Sequence, residues 1–210
     1  EFGMDLWSKM SQDLNYNVMF SPRGIINLAH SDAQMNVYAR RGNSMRLNGI
    51  DAVLLNREQV KEIIPMADFS ENVRFPIFGG LMQPSAGTAR HDAVAWGYAR
   101  QADSMGVDII QKCEVIGFDV TAGKIKGIRT SRGNIKAKKV GICVAGSTNI
   151  LAEKLNMTLP VETHLLQACV SEPVKPVLDN VVTFGAGHFY VSQSDKGEMV
   201  MGGDLDGYNS

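Results

Sequence analysis

Apolar residues recur along this chain with two different periods, and the switches between them mark out the elements. Met4, Leu6, Trp7, Met10 and Leu14 follow a helical spacing, which predicts a helix ending near Leu14. Residues 18–20 and 24–29 read as two short strands around the turn Ser21-Pro22-Arg23. Ser31 is placed to cap a helix that runs to about Leu47, with Ala33, Val37, Ala39 and Met45 among its apolar positions. Residues 51–55 predict a strand, and Asn56 can cap a helix through Ile64 that Pro65 stops. Thr88 reads as the cap of a helix from 89 to about 105. The small residues Ala93, Ala95, Gly97, Ala99 and Ala102 would let a strand or a ligand lie close to its backbone, and Gly106 would end it in a left-handed cap.

Strands dominate from there. They are expected at 107–111, 113–119 and 124–130, with Thr121-Ala-Gly turning between the last two. Others follow at 135–137 and, as a buried-looking apolar run, at 140–145. Beyond Pro160 the alternation predicts strands at 161–171, 181–184, 188–192 and 198–202, with Asp195-Lys-Gly as the last hairpin turn. A helix, a three-stranded meander and an apolar strand ending at Gly146-Ser147 resemble the second half of a dinucleotide-binding domain. The G-x-G-x-x-G loop that opens such a domain occurs nowhere in the 210 residues. The chain therefore reads as the middle of a larger flavoprotein-like polypeptide, with a degenerate small domain as the competing explanation. Glu1-Phe2-Gly3 before Met4 reads as a cloning remnant.

Composition narrows the classes of partner. Hydrophobic residues make up 44% and charged ones 20%, as in ordinary soluble domains. A formal net charge of −1 disfavours nucleic acid or an anionic membrane, although a local basic patch would escape such a count. Cys113, Cys143 and Cys169 are odd in number, widely spaced and without ligand spacing, so neither a disulfide framework nor a zinc site is expected, and a reducing cytoplasmic setting is. No apolar run has the length of a membrane helix and no secretory leader pattern is present.

Three places carry candidate chemistry. His91 falls on the first turn of the expected 89–105 helix, between Arg90 and Asp92. A neutral imidazole there is a nucleophile toward electrophilic carbon, and Arg90 could meet a phosphate or an electron-rich ring; a solvated helix-start histidine is the alternative. His188, in Gly185-Ala-Gly-His-Phe-Tyr-Val-Ser-Gln, could point into a substrate cavity as an acid/base or orienting group, or be a hydrogen-bonded sheet histidine. The small residues of Val144-Ala-Gly-Ser147 would let backbone approach a ligand, as they do at many strand-to-helix turns. His30 and His164 are read as structural, Trp96 as packing and the eleven methionines as core filler. Nothing supports a serine hydrolase, a P-loop kinase or a metalloenzyme.

Three segments together carry a resemblance: Gly87-Thr-Ala-Arg-His-Asp-Ala-Val-Ala-Trp-Gly-Tyr-Ala-Arg100, Cys143-Val-Ala-Gly-Ser147 and Phe189-Tyr-Val-Ser-Gln-Ser-Asp-Lys-Gly-Glu198. The chain resembles the beta subunits of heterotetrameric sarcosine oxidases, within the D-amino-acid-oxidase-like FAD-dependent oxidoreductases. The likeness extends over nearly the whole chain from Met4. It implies a mixed α/β fold in which a partial FAD-binding domain with a β-meander (84–160) is interleaved with an antiparallel-sheet substrate domain (4–83 and 161–210). It implies noncovalent FAD, and FMN joined covalently to His91 at an interface with an alpha subunit, smaller subunits completing the enzyme. FAD would take a hydride from the N-methyl group of sarcosine, and electrons would pass through FMN to oxygen, giving hydrogen peroxide. Val115, Ala145 and Gly146 would border FAD, and His188 would face the substrate. Lacking the Gly-rich loop, the 210 residues alone are expected to be inactive, and an incomplete core would leave apolar surface open to self-association. A non-catalytic binding module or truncated product of the same fold remains the other class of function, and dimethylglycine or another secondary amine an alternative substrate.

Overall fold

Local capping chemistry sets the boundaries of the first elements. A computed structural model describes residues 2–70, 72–184 and 189–205. The Ser31 hydroxyl accepts a hydrogen bond from the Gln34 N–H at 3.2 Å and starts helix α2, Asp32–Leu47. Asn56 and Gln59 form a reciprocal capping box, each bond 2.9 Å long, at the start of α3, Arg57–Ile63. Both helices fall where the sequence places them. Helix α1 spans Phe2–Asp13 and takes in Phe2 and Gly3 ahead of the expected apolar pattern.

Strands β1 (Ile25–Ala29), β2 (Val53–Asn56), β3 (Gly79–Gln83), β7 (Leu166–Pro173), β8 (Val181–Phe184), β9 (Phe189–Gln193) and β10 (Glu198–Leu205) form one sheet in the order β2-β3-β1-β8-β9-β10-β7. Its pairs are antiparallel except β1 with β8, which run parallel. Helices α2 and α3 lie on the β2-β3-β1 part. The core beneath them joins Ile26, Leu28, Leu55, Val60, Ile64, Ile77, Leu178 and Val182. With residues 2–106 and 166–205 this sheet makes one compact unit. The second unit, 107–165, is inserted into it and holds β4 (Val115–Thr121), β5 (Lys124–Thr130) and β6 (Gly133–Lys136) as an antiparallel meander, followed by α5 (Thr148–Glu153). The mixed α/β class, the mainly antiparallel sheet and the meander are as expected.

Four local expectations are corrected. Residues 18–20 form no strand: Met19 has φ 53°, which breaks extended geometry, and Val18 is fully buried with Met10 and Leu14. Strand β3 was not foreseen, because Gly79-Gly80 carries little strand signal. The sheet requires Gly80, since a Cβ there would lie 2.9 Å from the Asn27 carbonyl oxygen. Residues 107–111 are irregular, with Val107, Ile109 and Ile110 exposed. Residues 140–145 are irregular too. That apolar run suits a strand flanked on both sides, and among the described residues neither β4, β5 nor β6 pairs with it.

One side chain pins the far end of the large sheet. Gln193 is 3% exposed, and its Oε1 accepts from the N–H groups of Val177 (2.8 Å) and Leu178 (3.1 Å). Its Nε2 faces the carbonyls of Val174, Lys175 and Gly197 at 3.3, 3.0 and 3.0 Å. Arg23 adds bonds to the carbonyls of Gln193 and Leu178. Gln193→Leu would take away the side-chain partner of the Val177 and Leu178 N–H groups and of the Val174 and Lys175 carbonyls, and is expected to cost about 2 kcal/mol of stability, read as a lower urea midpoint.

Candidate functional site

The backbone of segment 18–21 decides where helix α4, His91–Ser104, begins. Ser21 N–H donates to the Thr88 carbonyl at 2.8 Å and Thr88 N–H to the Ser21 carbonyl at 3.0 Å, an isolated antiparallel bridge. Thr88 is thereby held in extended geometry and does not cap the helix. Arg90 does, at φ −77° and ψ 115°, without a side-chain cap bond, and α4 runs His91–Ser104. Arg90 N–H reaches the Val18 carbonyl at 3.3 Å. The buried face of α4 is Ala93 and Gly97, and it is filled from this chain: a Cβ on Gly97 would stand 3.1 Å from a Leu14 methyl group. The small-residue face therefore receives the α1 end rather than a ligand. Trp96, read as packing, is 56% exposed. Gly106 follows in the left-handed conformation expected, φ 85°.

His91 is thus the first residue of the helix and is exposed. Its ring takes part in no hydrogen bond or ion pair with a described residue. Arg90 next to it is committed. Its Nε and one terminal nitrogen donate to the two Asp92 oxygens at 3.2 and 3.0 Å, and the other terminal nitrogen lies 3.8 Å from Asp195, in the β9–β10 turn. The hydrogen bonds and charge of Asp92 hold the guanidinium above its ordinary value, with Asp195 and Glu198 adding to it. Asp92 is held below the ordinary carboxylate value by its hydrogen bonds from Arg90 and from the Ala93 N–H. The sequence marks Asp195 only as a turn residue. No local pattern joins it to Arg90, since the two meet only when the sheet has formed.

Of the remaining candidates, Val115 is half-buried on β4 opposite Thr130, and β4 pairs only with β5 among the described residues. Ala145 and Gly146 are exposed in a short 3₁₀ turn, with Ala145 at φ 45°. Their carbonyls accept from the hydroxyls of Thr148 (2.6 Å) and Thr163 (2.9 Å). His188 lies outside the described residues. His30 is structural as read: its Nδ1 is 3.1 Å from the Pro76 carbonyl and its ring packs on Phe184.

The fold defines a class: an α/β protein with a mainly antiparallel sheet and an inserted meander, the architecture of a solved L-proline dehydrogenase from P. horikoshii. The two agree with a TM-score of 0.84 and 25% identity over 99% of this chain and 54% of that one. The chain belongs to the family of FAD-dependent oxidoreductases, described as "DAO: FAD dependent oxidoreductase", whose profile matches residues 1–210. It is 59% identical over all 210 residues to the sarcosine oxidase subunit beta of Rhizobium meliloti (strain 1021), and 46% identical over 209 to that of Arthrobacter sp. It spans about half the length of these relatives, 50% and 52%.

Flavin fits some of these residues better than others. The unengaged imidazole of His91 suits attachment, and the exposed, small-chained turn at Ala145-Gly146 suits backbone contact. Arg90 suits a phosphate clamp less well, because Asp92 already takes its Nε and one terminal nitrogen and Asp195 offsets the charge of the other. The sign of the Asp92 shift gives a test. A depressed carboxyl contributes stability above its unfolded value and loses it as pH falls through the lower folded value. Titration of the Asp92 carboxyl by NMR is expected to show a midpoint below the usual 3.8, and Arg90→Ala should raise it.

Proposed function

We propose that this chain is part of a flavin-dependent amine oxidoreductase, the beta subunit of a sarcosine oxidase that oxidatively demethylates sarcosine to glycine with release of hydrogen peroxide. What carries the reading is the exposed, unengaged imidazole of His91 at the start of α4, in a chain similar along its whole length to sarcosine oxidase beta subunits. His91 is the attachment point for FMN, and alpha and smaller subunits are the partners. Arg90 acts indirectly: by binding Asp92 and Asp195 it orients the first turn and with it the imidazole. Val115, Ala145 and Gly146 border noncovalent FAD in the part that bears the meander, and His188 faces the substrate. Bound flavin supplies the hydride acceptor that no protein side chain can provide. The chain's own work is to hold it, to set its surroundings and to admit a small secondary amine. The cytoplasm is the proposed location; among the described residues no helix is long and apolar enough to cross a membrane.

The test uses the full-length protein produced with its partner subunits. Flavin fluorescence is expected to stay with the denatured subunit in a gel, and His91→Ala is expected to remove it while leaving FAD bound. Persistence of the fluorescent band in His91→Ala would overturn the assignment of the attachment point. The 210 residues alone, incubated with FAD and sarcosine, are expected to release no peroxide and to show no added FMN by intact mass, because no Gly-rich pyrophosphate loop lies within them.

A further inference from the structure

The meander carries a concentration of positive charge that the flavin site does not use. From Lys124 to Lys139 the sequence holds seven lysines and arginines and no aspartate or glutamate, in a chain whose net charge is −1. The structure gathers four of them. Lys124 and Lys126 on β5, and Lys136 and Lys138 at and beyond the end of β6, line a groove of about 600 Å³ together with Ile125 and Ala137. The Ala137 N–H donates to the Lys126 carbonyl at 3.0 Å, a rung that keeps the two segments together. All four lysines are exposed, and none forms an ion pair with a described residue.

A bland explanation exists: lysines on a sheet edge discourage pairing with other chains. It accounts for Lys136 on β6, an edge strand. It does not account for Lys124 and Lys126, which stand on β5, the middle strand of the meander. Four uncompensated ammonium groups around one groove repel each other, and that repulsion is relieved when an anion enters. Nucleic acid would call for stacking surfaces and planar arginine forks. The groove lining has neither an aromatic residue nor an arginine. Ammonium groups on flexible stems suit separate carboxylates, and all four residues of β6 are exposed with its outer edge unpaired among the described residues.

We propose that the lysine groove of the β5–β6 meander is a docking surface for an extended acidic segment of a partner polypeptide. None of the groove residues is among those assigned to flavin, so the proposal is tested independently of the oxidase reading. Fluorescence anisotropy of labelled hexaglutamate against the 210-residue chain tests it. Binding is expected at low salt and loss of binding at high salt. The double variant Lys124→Glu/Lys138→Glu is expected to weaken binding about tenfold or more, and Lys154→Glu, outside the groove, less than about twofold. Circular dichroism checks that each variant is folded, and single replacements Lys124→Gln and Lys138→Gln, each with a smaller loss, provide a milder second series. Absence of binding, equal weakening by Lys154→Glu, or tighter binding of a thymidine oligonucleotide of the same charge would each overturn the proposal.

Discussion

The start of α4 depends on one exchange of main-chain hydrogen bonds, that between Ser21 and Thr88. A threonine followed by a helical pattern is a natural N-cap, but its backbone cannot serve a bridge and a helix start at once. The bridge wins because segment 18–21 is itself anchored: Val18 is buried with Met10 and Leu14, and its carbonyl takes the Arg90 N–H. The helix therefore opens at His91. Everything around the imidazole is tied down, by bridge, by buried Ala93 and Gly97, and by the Arg90 contacts, while the ring itself is left without a partner among the described residues. That combination, a fixed backbone under an unspent side chain, is what an attachment point requires.

The same logic recurs at the other end of the Arg90 contact. Asp195 sits in a turn whose strands are held by Gln193, a buried amide that satisfies loop groups on two sides. The ion pairs of Arg90 are exposed and add little stability. Burial and main-chain pairing hold the structure, and the charges choose orientation. The second unit follows a different rule. Its meander closes on itself through local turns, the Ala122-Gly123 pair with φ 50° and 72° among them, and it keeps its charge outward. Flavin contacts and acidic-segment docking are thus proposed for different residues, made by different means.

Much of the fold was legible along the chain because it rests on short-range signals. Ser31 and Asn56 cap where their side-chain chemistry predicts, β5 and β8 span the residues expected of them, and the Asp195-Lys-Gly turn joins the expected strands. The errors have one origin. Residues 140–145 have the composition of a flanked strand, and residues 107–111 that of a half-buried one, yet a strand exists only where another backbone lies alongside. Conversely β3, with two glycines, is a strand because β1 and β2 enclose it.

The sequence by itself determined the helix caps, the tight turns, the meander and, through the Arg90-His91-Asp92 segment, which imidazole to suspect. These depend on neighbours within a few residues and on the fixed geometry of the backbone. Only the tertiary structure decided that Thr88 pairs instead of capping, that Arg90 is spent on Asp92 and Asp195, and that lysines from two strands surround one groove. Each of those outcomes is a competition between partners distant in sequence, and which partner prevails is settled by what the fold brings within hydrogen-bonding or Coulombic reach.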